Sequence, residues 1–350
     1  MNLDDLNRIQ QIDSMDMVSE IDHLPDQILR AIETAQMNTL PAWTGFENIL
    51  ISGMGGSAIA GDLLAAYLAD TCPLPILSHR DYGIPAWASA KKTLVIACSH
   101  SGNTEETLST FEAAKALGCR IVAVTTGGKL AADAKAANFP VWIFDHKGQP
   151  RSAVGFGFVL LTYILAKLGL IPDPEKDLKN AVALMRTEQV KYQPSSPVNQ
   201  NPAKRQAGQF VGRFVTILGS GALAPLGRRF KGQINELGKA VAFFDILPEA
   251  DHNSMAGTTN PDELLSKSIS LFLHSSSDHP RNIKRAKLTQ NAYMLNGICT
   301  DQFIASGNSK LEQIWTTLHF GDYVAYYLAM LYEIDPTPIE AIQHFKQEMG

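Results

Sequence analysis

Two short stretches of the sequence carry residue types suited to holding an anion. The segment SHSGNTEETL (99–108) groups hydroxyls around a Gly-Asn turn, directly after the apolar run TLVIAC. The segment GMGGSAIAGD (53–62) is rich in glycine and also follows an apolar run. Glycines allow close backbone approach, helix starts offer free N–H groups, and hydroxyls donate hydrogen bonds without a competing charge. Together the two stretches predict a site for a phosphate-type anion.

Each stretch also has a purely structural interpretation. The glycine-rich segment lacks the dinucleotide pattern G-x-G-x-x-G, since the sixth position is Ala58, and no Gly-Lys-Ser/Thr follows as in a P-loop. Its glycines fit tight packing of a strand against a helix equally well. In the second segment, Ser101 or Asn103 fits the N-cap of the next helix. Capping needs only one such side chain, so the crowding of Ser99, Ser101 and Thr104 favours the anion site.

Apolar runs alternate with amphipathic ones in the first half of the chain, which predicts an α/β fold. The predicted strands are 48–53, 74–79, 93–99, 120–126 and 140–144. The predicted helices between them are 58–68, 105–117 and 130–137. Strands that are apolar throughout are typical of a mainly parallel sheet covered by helices on both faces. Ligands bind at the carboxyl ends of such strands, where both anion-type segments lie.

The second half repeats this plan. The segment FVTILGSGALAPLGRRF (214–230) echoes NILISGMGGSAIAGDLL (48–64) as strand, glycine-bearing turn and helix. Further strands are predicted at 240–245, 268–274 and 298–305, and closing helices at about 308–333 and 337–348, the last with Pro336 and Pro338 at its start. The sequence therefore predicts two duplicated α/β domains.

The segment QPSSPVNQNP (193–202) is the best candidate for a linker, because its prolines and small polar residues are expected to bury nothing. The predicted domains are 1–192 with leading helices, the linker 193–202, and 203–350 with closing helices.

Composition narrows the class of protein. The 350 residues are 45% hydrophobic with a net charge of −5, which argues against nucleic acid or an acidic membrane as the main partner. The four cysteines are scattered and form no CxxC pair or Cys/His cluster, which argues against a disulfide framework or a zinc site. No cofactor is expected. The start of the chain lacks a secretory signal, and the uncharged run 152–166 is too short to span a bilayer. We interpret that run as a buried helix of a cytoplasmic protein, and RNIKRAK (281–287) as a solvated helix face.

The paired motifs resemble those of sugar isomerase domains, and specifically of the bifunctional phosphoglucose/phosphomannose isomerases. The resemblance covers nearly the whole chain. It also includes QPRS (149–152), GQINELGK (232–239), PEADHNSMAG (248–257) and DPTPIEAIQHFK (335–346). It implies two sugar-isomerase-type domains, a sugar 6-phosphate substrate, roles in glycolysis and gluconeogenesis, no cofactor, and a homodimer with a shared active site. The segment NELGK departs from the expected NENAK, which bears on substrate preference more than on activity.

The resemblance also assigns roles to individual residues. The phosphate would be bound by Gly56, Ser57, Ser99, Ser101 and Thr104. Glu236 would move the proton between C1 and C2. His252, contributed by the partner subunit, would assist ring opening. Arg151 would stabilise the enediolate, Lys346 would contact the ring oxygen or help open the ring, and Thr337 would make room for the C2 epimer. His100 would be a neighbour of the site.

These residue types suit the chemistry, although each has a simpler interpretation. A carboxylate can remove a proton next to a carbonyl, a fixed arginine can stabilise the resulting charge, and histidine suits acid catalysis near neutral pH. Alternatively, Glu236 is an exposed helix residue paired with Lys239 or Arg229, His252 lies in a structural loop, and Arg151 and Lys346 only support helices. Two other functions also stay open: a sugar-phosphate regulator without catalysis, and a related aminosugar-phosphate isomerase.

Overall fold

Residue contacts divide the chain into two compact units. The computed structural model describes residues 1–349. The first unit comprises 23–183 with 309–312, and the second comprises 1–22, 184–308 and the chain from 313 onward. Residues 1–22 and 184–192 thus group by contact with the later part of the chain, whereas they were predicted to belong to the earlier part. The boundaries 1–192, 193–202 and 203–350 stay a prediction.

The first unit is built on a five-stranded parallel sheet. Its strands are β1 (Asn48–Ser52), β2 (Ile76–His79), β3 (Thr93–Ser99), β4 (Arg120–Thr125) and β5 (Val141–Ile143). They are arranged in the order β2-β1-β3-β4-β5, and every neighbouring pair is parallel. All seven residues of β3 are buried, as expected for a central strand covered on both faces.

The second unit contains a four-stranded parallel sheet of the same plan. Its strands are β6 (Phe214–Gly219), β7 (Ala242–Ile246), β8 (Ser268–His274) and β9 (Cys299–Ile304). The order β7-β6-β8-β9 reproduces β2-β1-β3-β4, and all pairs are parallel. The predicted pair of duplicated α/β domains with mainly parallel sheets is therefore confirmed. Within residues 1–349, the nine strands are those predicted, and the ends of the eight that were predicted with bounds differ by at most two residues.

The helices of the described residues cover the sheets and connect their strands. Those up to residue 167 are α1 (Leu6–Ile12), α2 (Met17–Asp22), α3 (Leu24–Met37), α4 (Gly55–Tyr67), α5 (Glu105–Leu117), α6 (Gly128–Ala136) and α7 (Val154–Lys167). The later ones are α8 (Glu175–Gln189), α9 (Pro202–Phe210), α10 (Ala224–Glu236), α11 (Asp262–Leu265), α12 (Pro280–Leu295), α13 (Lys310–Leu331) and α14 (Glu340–Met349). The run predicted as a buried helix forms α7, which is buried along most of its length. None of the helices in residues 1–349 combines the length and apolar character that a membrane crossing requires.

Two local expectations were wrong. The last helix begins at Glu340, so Pro336 and Pro338 precede it and do not lie at its start. A residue before proline is disfavoured in the helical region, and Asp335 and Thr337 both stand in that position. The predicted linker also buries a residue: Asn201 is fully buried. Its side-chain oxygen accepts hydrogen bonds from two backbone amides of α9, so it caps that helix.

Candidate active site

The two anion-type segments lie side by side at the carboxyl ends of two neighbouring strands of the first sheet. Strands β1 and β3 are direct neighbours, with Ser52 opposite Ala97, so their carboxyl ends are adjacent. The chain runs from β1 to β2 on one side and continues to β3 on the other. This reversal of strand order is the topological switch point, where the crevice of a doubly wound sheet opens. The sheet therefore brings the glycine-rich segment and the hydroxyl loop 99–104 together.

The start of α4 combines the positive end of a helix dipole with a close approach of another segment. Gly56 and Ser57 lie in the first turn, where the helix dipole is positive, and the Ser57 amide donates a hydrogen bond of 3.0 Å to the Met54 carbonyl. A Cβ atom on Gly56 would come within 2.6 Å of the Pro150 carbonyl oxygen and 3.3 Å of the Arg151 Cα. Only glycine therefore lets the 3₁₀ turn Pro150–Ser152 pack here. The fold thus brings Arg151, which is 3% exposed, next to Gly56.

The hydroxyl loop is organised around two oxygen contacts. The Ser99 and Thr104 hydroxyl oxygens lie 2.8 Å apart, and one donates to the other. The Ser101 oxygen accepts a hydrogen bond of 3.2 Å from the Asn103 amide, which leaves the Ser101 hydrogen to donate. Ser99 is buried and Ser101 is exposed, so the loop presents hydroxyls from the sheet edge towards solvent.

The alternative in which Ser101 or Asn103 is the N-cap of α5 is wrong. Thr104 is the N-cap residue of α5 and makes no side-chain capping bond. The Asn103 side-chain oxygen instead accepts a hydrogen bond of 3.0 Å from the backbone amide of Lys129, in the first turn of α6. The Asn103 side chain therefore bonds to the start of a helix that is distant in sequence. The capping propensities of the residues around Asn103 could not predict this partner.

The turn after β4 supports the hydroxyl loop by backbone contacts. A Cβ on Gly102 would come within 1.9 Å of the Gly127 carbonyl oxygen, and one on Gly128 within 2.3 Å of the Ser101 carbonyl oxygen. The Leu130 amide donates a hydrogen bond of 2.8 Å to the Gly102 carbonyl. Gly102 and Gly128 also have positive φ, at 70° and 67°. The two turns are thus fixed against each other in a geometry that side chains would prevent.

A pair of histidines joins the hydroxyl loop to the segment that leads to Arg151. The His100 Nε2 and His146 Nδ1 atoms are 2.9 Å apart, and the rings meet edge to face. A cavity of about 20 Å³, enough for one water molecule, lies beside this pair and is lined in part by Ser57, Cys98 and His100. Burial raises the pKa of the Cys98 thiol to about 12, so the thiol stays neutral. His100 was predicted to be a neighbour of the site, whereas His146, 46 residues away, was not predicted.

Glu236 lies in the second unit, where it ends α10. It lines a cavity of about 950 Å³ together with residues of β7, of the segment before α14 and of α14 itself. Arg229, one of the proposed ion-pair partners of Glu236, binds both carboxylate oxygens of Asp322 at 3.1 and 2.8 Å. The other, Lys239, directs its ammonium group to the backbone carbonyl of Glu236 at 2.9 Å. The cavity brings Glu236 close to the segment that carries Thr337, which is 4% exposed.

His252 and Lys346 do not line this cavity. His252 is exposed and ends the 3₁₀ turn Glu249–His252 after β7. The neighbouring Asp251 anchors that turn to α12 through Arg285, at 2.8 Å, and through the Thr289 hydroxyl, at 2.6 Å. Lys346 is exposed in the last turn of α14. In the part of the chain that the structure describes, no group of three or more His, Cys, Asp or Glu residues is arranged to hold a metal ion.

Comparison with known proteins places the chain in a class and then in a family. Residues 46–138 match the SIS domain model, and residues 199–349 match the model described as bacterial phospho-glucose isomerase C-terminal SIS domain. The fold is therefore that of a protein with two SIS domains. The chain is 37% identical over 338 residues to the bifunctional phosphoglucose/phosphomannose isomerase of Caldicellulosiruptor bescii, covering 95% of this chain and 99% of that protein. It belongs to the family of bifunctional phosphoglucose/phosphomannose isomerases.

Two further similarities are more distant. The D-glucosamine-6-phosphate 4-epimerase of Sulfolobus acidocaldarius is 27% identical over 294 residues, covering 81% of this chain and 90% of that protein. Among solved structures, a hypothetical protein from Thermus thermophilus superposes with a TM-score of 0.73 at 16% identity, covering 98% of this chain and 93% of that one. At that identity the structural match supports the fold alone.

Proposed function

We propose that the protein interconverts glucose 6-phosphate and fructose 6-phosphate, and also mannose 6-phosphate and fructose 6-phosphate. One observation carries the proposal: the glycine-rich start of α4 and the hydroxyl loop share one sheet edge, against which the Arg151 turn is packed. Gly56, Ser57, Ser99, Ser101 and Thr104 bind the phosphate there. Two helix starts supply positive dipole ends, and the hydroxyls donate to the phosphate oxygens.

The reaction moves one proton between C2 and C1 of the open-chain sugar. Glu236 takes the C2 proton of the aldose, and the electron pair left behind forms an enediolate with its charge on O1. Glu236 then returns the proton to C1 while the O2 proton passes to O1, which gives the ketose. Because C2 is planar in the enediolate, the two C2 epimers share one intermediate, and a single base serves both substrates.

The remaining residues stabilise the negative charge of the enediolate, open the sugar ring or shape the site. Arg151 stabilises the enediolate, because a guanidinium stays protonated at any working pH. His252 assists ring opening, and Lys346 contacts the ring oxygen or helps to open the ring. Thr337 gives room to the C2 epimer. We propose no metal and no cofactor for these steps, since each moves only protons.

We further propose that the enzyme is a homodimer with a shared active site and acts in the cytoplasm. The exposure of His252 on its own unit supports its donation to the site of a partner subunit.

The nearest competing function is that of an aminosugar-phosphate enzyme, which the similarity to the Sulfolobus acidocaldarius epimerase keeps open. A binding protein without catalysis would not need an acid and a base.

A coupled assay with glucose 6-phosphate and mannose 6-phosphate side by side, with and without a chelator, tests the proposal. Turnover of both substrates, unaffected by the chelator, is expected. Glu236→Gln should lower kcat by about 10²- to 10⁴-fold, the typical contribution of a positioned base, and leave substrate binding unchanged. Glu263→Gln, at an exposed position of α11, is the control and should keep full activity. Full activity of Glu236→Gln would exclude the mechanism, and turnover of aminosugar phosphates alone would exclude the substrate assignment.

A further inference from the structure

The end of α10 has an unusual backbone. Helices commonly end with a glycine in the left-handed conformation. Here Gly238 follows the C-cap residue Leu237, yet the left-handed residue is Lys239, with a φ of 48°. A lysine in that region is strained, because its Cβ crowds the neighbouring carbonyl oxygen. Such outliers persist only where the surrounding structure holds them in place.

Hydrogen bonds of the Lys239 side chain hold this residue in its left-handed conformation. Its ammonium group donates hydrogen bonds to three backbone carbonyls: Glu236 at 2.9 Å, Asp335 at 2.9 Å and Pro336 at 3.0 Å. An ammonium group has three N–H donors, which matches these three carbonyls. One carbonyl belongs to the residue assigned as the base, and the other two belong to the segment before α14.

The segment before α14, residues 332–339, is held in part by side chains. It lies between α13 and α14 and contains two prolines, which remove two backbone donors. The Asp335 carboxylate accepts a hydrogen bond of 2.9 Å from the Thr337 amide and another from the Ser14 hydroxyl, so the turn around Thr337 is braced. Lys239 ties this braced turn to the end of α10, and Glu236, Lys239 and Asp335 line the same cavity.

We propose that Lys239 is a positioning residue that holds the Asp335–Thr337 turn at a fixed distance from Glu236 and thereby sets the ratio of activity on the two C2 epimers. The inference rests on the proposed function, since it concerns the same base and the same selectivity residue. Lys239 does not act on the substrate itself. Without its ammonium group, the turn carrying Thr337 would lose two hydrogen bonds that fasten it to the helix carrying the base.

Three variants separate the ammonium group from the backbone strain. Lys239→Met keeps the chain length and removes the donors. Lys239→Gly also removes the donors but relieves the left-handed strain. Lys239→Arg keeps a cation with N–H donors. Lys284→Met, at an exposed position of α12 in the same unit, is the matched control.

The first measurement is steady-state kinetics of the full-length variants with glucose 6-phosphate and mannose 6-phosphate. Lys239→Met and Lys239→Gly should lower kcat about tenfold and change the ratio of the two kcat/KM values at least threefold, with KM within about twofold because the phosphate-binding groups are untouched. Lys239→Arg and the control should keep a ratio within about twofold of the parent enzyme.

The second measurement does not require activity. Amide hydrogen exchange at residues 335, 337 and 339 should be at least about tenfold faster in Lys239→Met and Lys239→Gly than in the parent protein. If both variants keep the parental ratio and exchange rates, the proposal is overturned while the proposed function stands. If Lys239→Gly behaves like the parent and only Lys239→Met differs, backbone strain is responsible and the proposal is again overturned. If the parent enzyme turns over neither substrate, the proposed function fails and takes the selectivity role with it, whereas the exchange data still report on the tether.

Discussion

The four strands of the second sheet follow the same order as β2-β1-β3-β4 of the first, but the side chains at the two topological switch points have different hydrogen-bond partners. At the first, after β1 and β3, the hydroxyls of Ser99 and Thr104 bond to each other and Ser101 keeps a hydrogen to donate. At the second, after β6 and β8, the loop 275–278 is just as rich in hydroxyls. There the Ser220 hydroxyl donates to the Asp278 carboxylate at 2.6 Å, and a Cβ on Gly221 would come within 2.6 Å of the same carboxylate.

Two of the three serines of the second loop donate their hydroxyl hydrogens to one side chain. Gln313 of α13 accepts hydrogen bonds from the Ser275 and Ser277 hydroxyls, and its amide nitrogen donates to the Ser276 oxygen at 2.6 Å. A carboxylate at the strand ends repels an anion, and the Ser275 and Ser277 hydrogens are already donated to Gln313. Ser276 only accepts, so the Asp278 carboxylate is the main difference from the first loop. A hydroxyl-rich loop at a strand end is therefore not a phosphate site by itself. Its partners decide whether it is one.

The largest expected effect comes from giving the first loop the carboxylate that the second has. Ser101→Asp should raise the KM for glucose 6-phosphate at least about 100-fold, because like charges placed together cost several kcal/mol. Ser101 is exposed, so the variant should fold. Ser101→Ala removes only a hydrogen bond to a charged group and should raise the same KM about tenfold. Equal KM values for the two variants in the coupled assay would show that charge at this edge does not matter.

The second-largest effect is expected at Gly56, whose lack of a side chain lets the turn Pro150–Ser152 pack against α4. Gly56→Ala should lower kcat/KM by about 10- to 100-fold, since its Cβ would lie 2.6 Å from the Pro150 carbonyl oxygen and must displace the turn carrying Arg151. Gly208→Ala in α9 is the control, because its Cβ would meet nothing within 4 Å. Wild-type kinetics for Gly56→Ala would mean that the position of Arg151 is not critical.

A smaller effect is expected from the histidine pair, which tests whether the first loop needs support beyond its hydroxyls. His146→Leu removes the contact with His100 and should raise KM about three- to tenfold with kcat nearly unchanged, the value of one ordinary hydrogen bond. His146→Asn keeps a polar atom near the Nδ1 position and should restore most of the affinity. Identical KM values for the leucine and asparagine variants would argue against the hydrogen bond.

The smallest effect concerns the carboxylate of the second switch point and appears in stability. Burial raises the pKa of Asp278, although the Ser220 hydroxyl acts in the opposite direction. The folded chain therefore keeps this proton to higher pH than the unfolded chain, so its contribution to stability falls as pH rises from about 3.9 through the raised folded value. Asp278→Asn cannot ionise and should lack this part of the fall in urea titrations across that range. The same fall in the variant would assign it to other groups, and Asp262→Asn, at an exposed position, is the control.

Much of the fold was predictable because its signals are local. All nine strands of the described residues were predicted, most of them from apolar runs, and the duplicated plan from two similar strand-turn-helix segments. The anion-type turns were predictable for the same reason, since glycines and hydroxyls directly follow the strands. The catalytic assignments came from the resemblance to a family, because single residues such as Glu236 or His252 carry no periodic pattern.

The sequence by itself determined the elements, their order in two similar domains and the residue types at each strand end, because these depend on neighbours within a few positions. Only the tertiary structure decided the partners. It bonded Asn103 to α6, His100 to His146 and two serines of the second loop to Gln313. It also bonded Lys239 to two carbonyls almost a hundred residues away. Hydrogen bonds between distant segments follow from packing of the whole unit, and no local pattern records them.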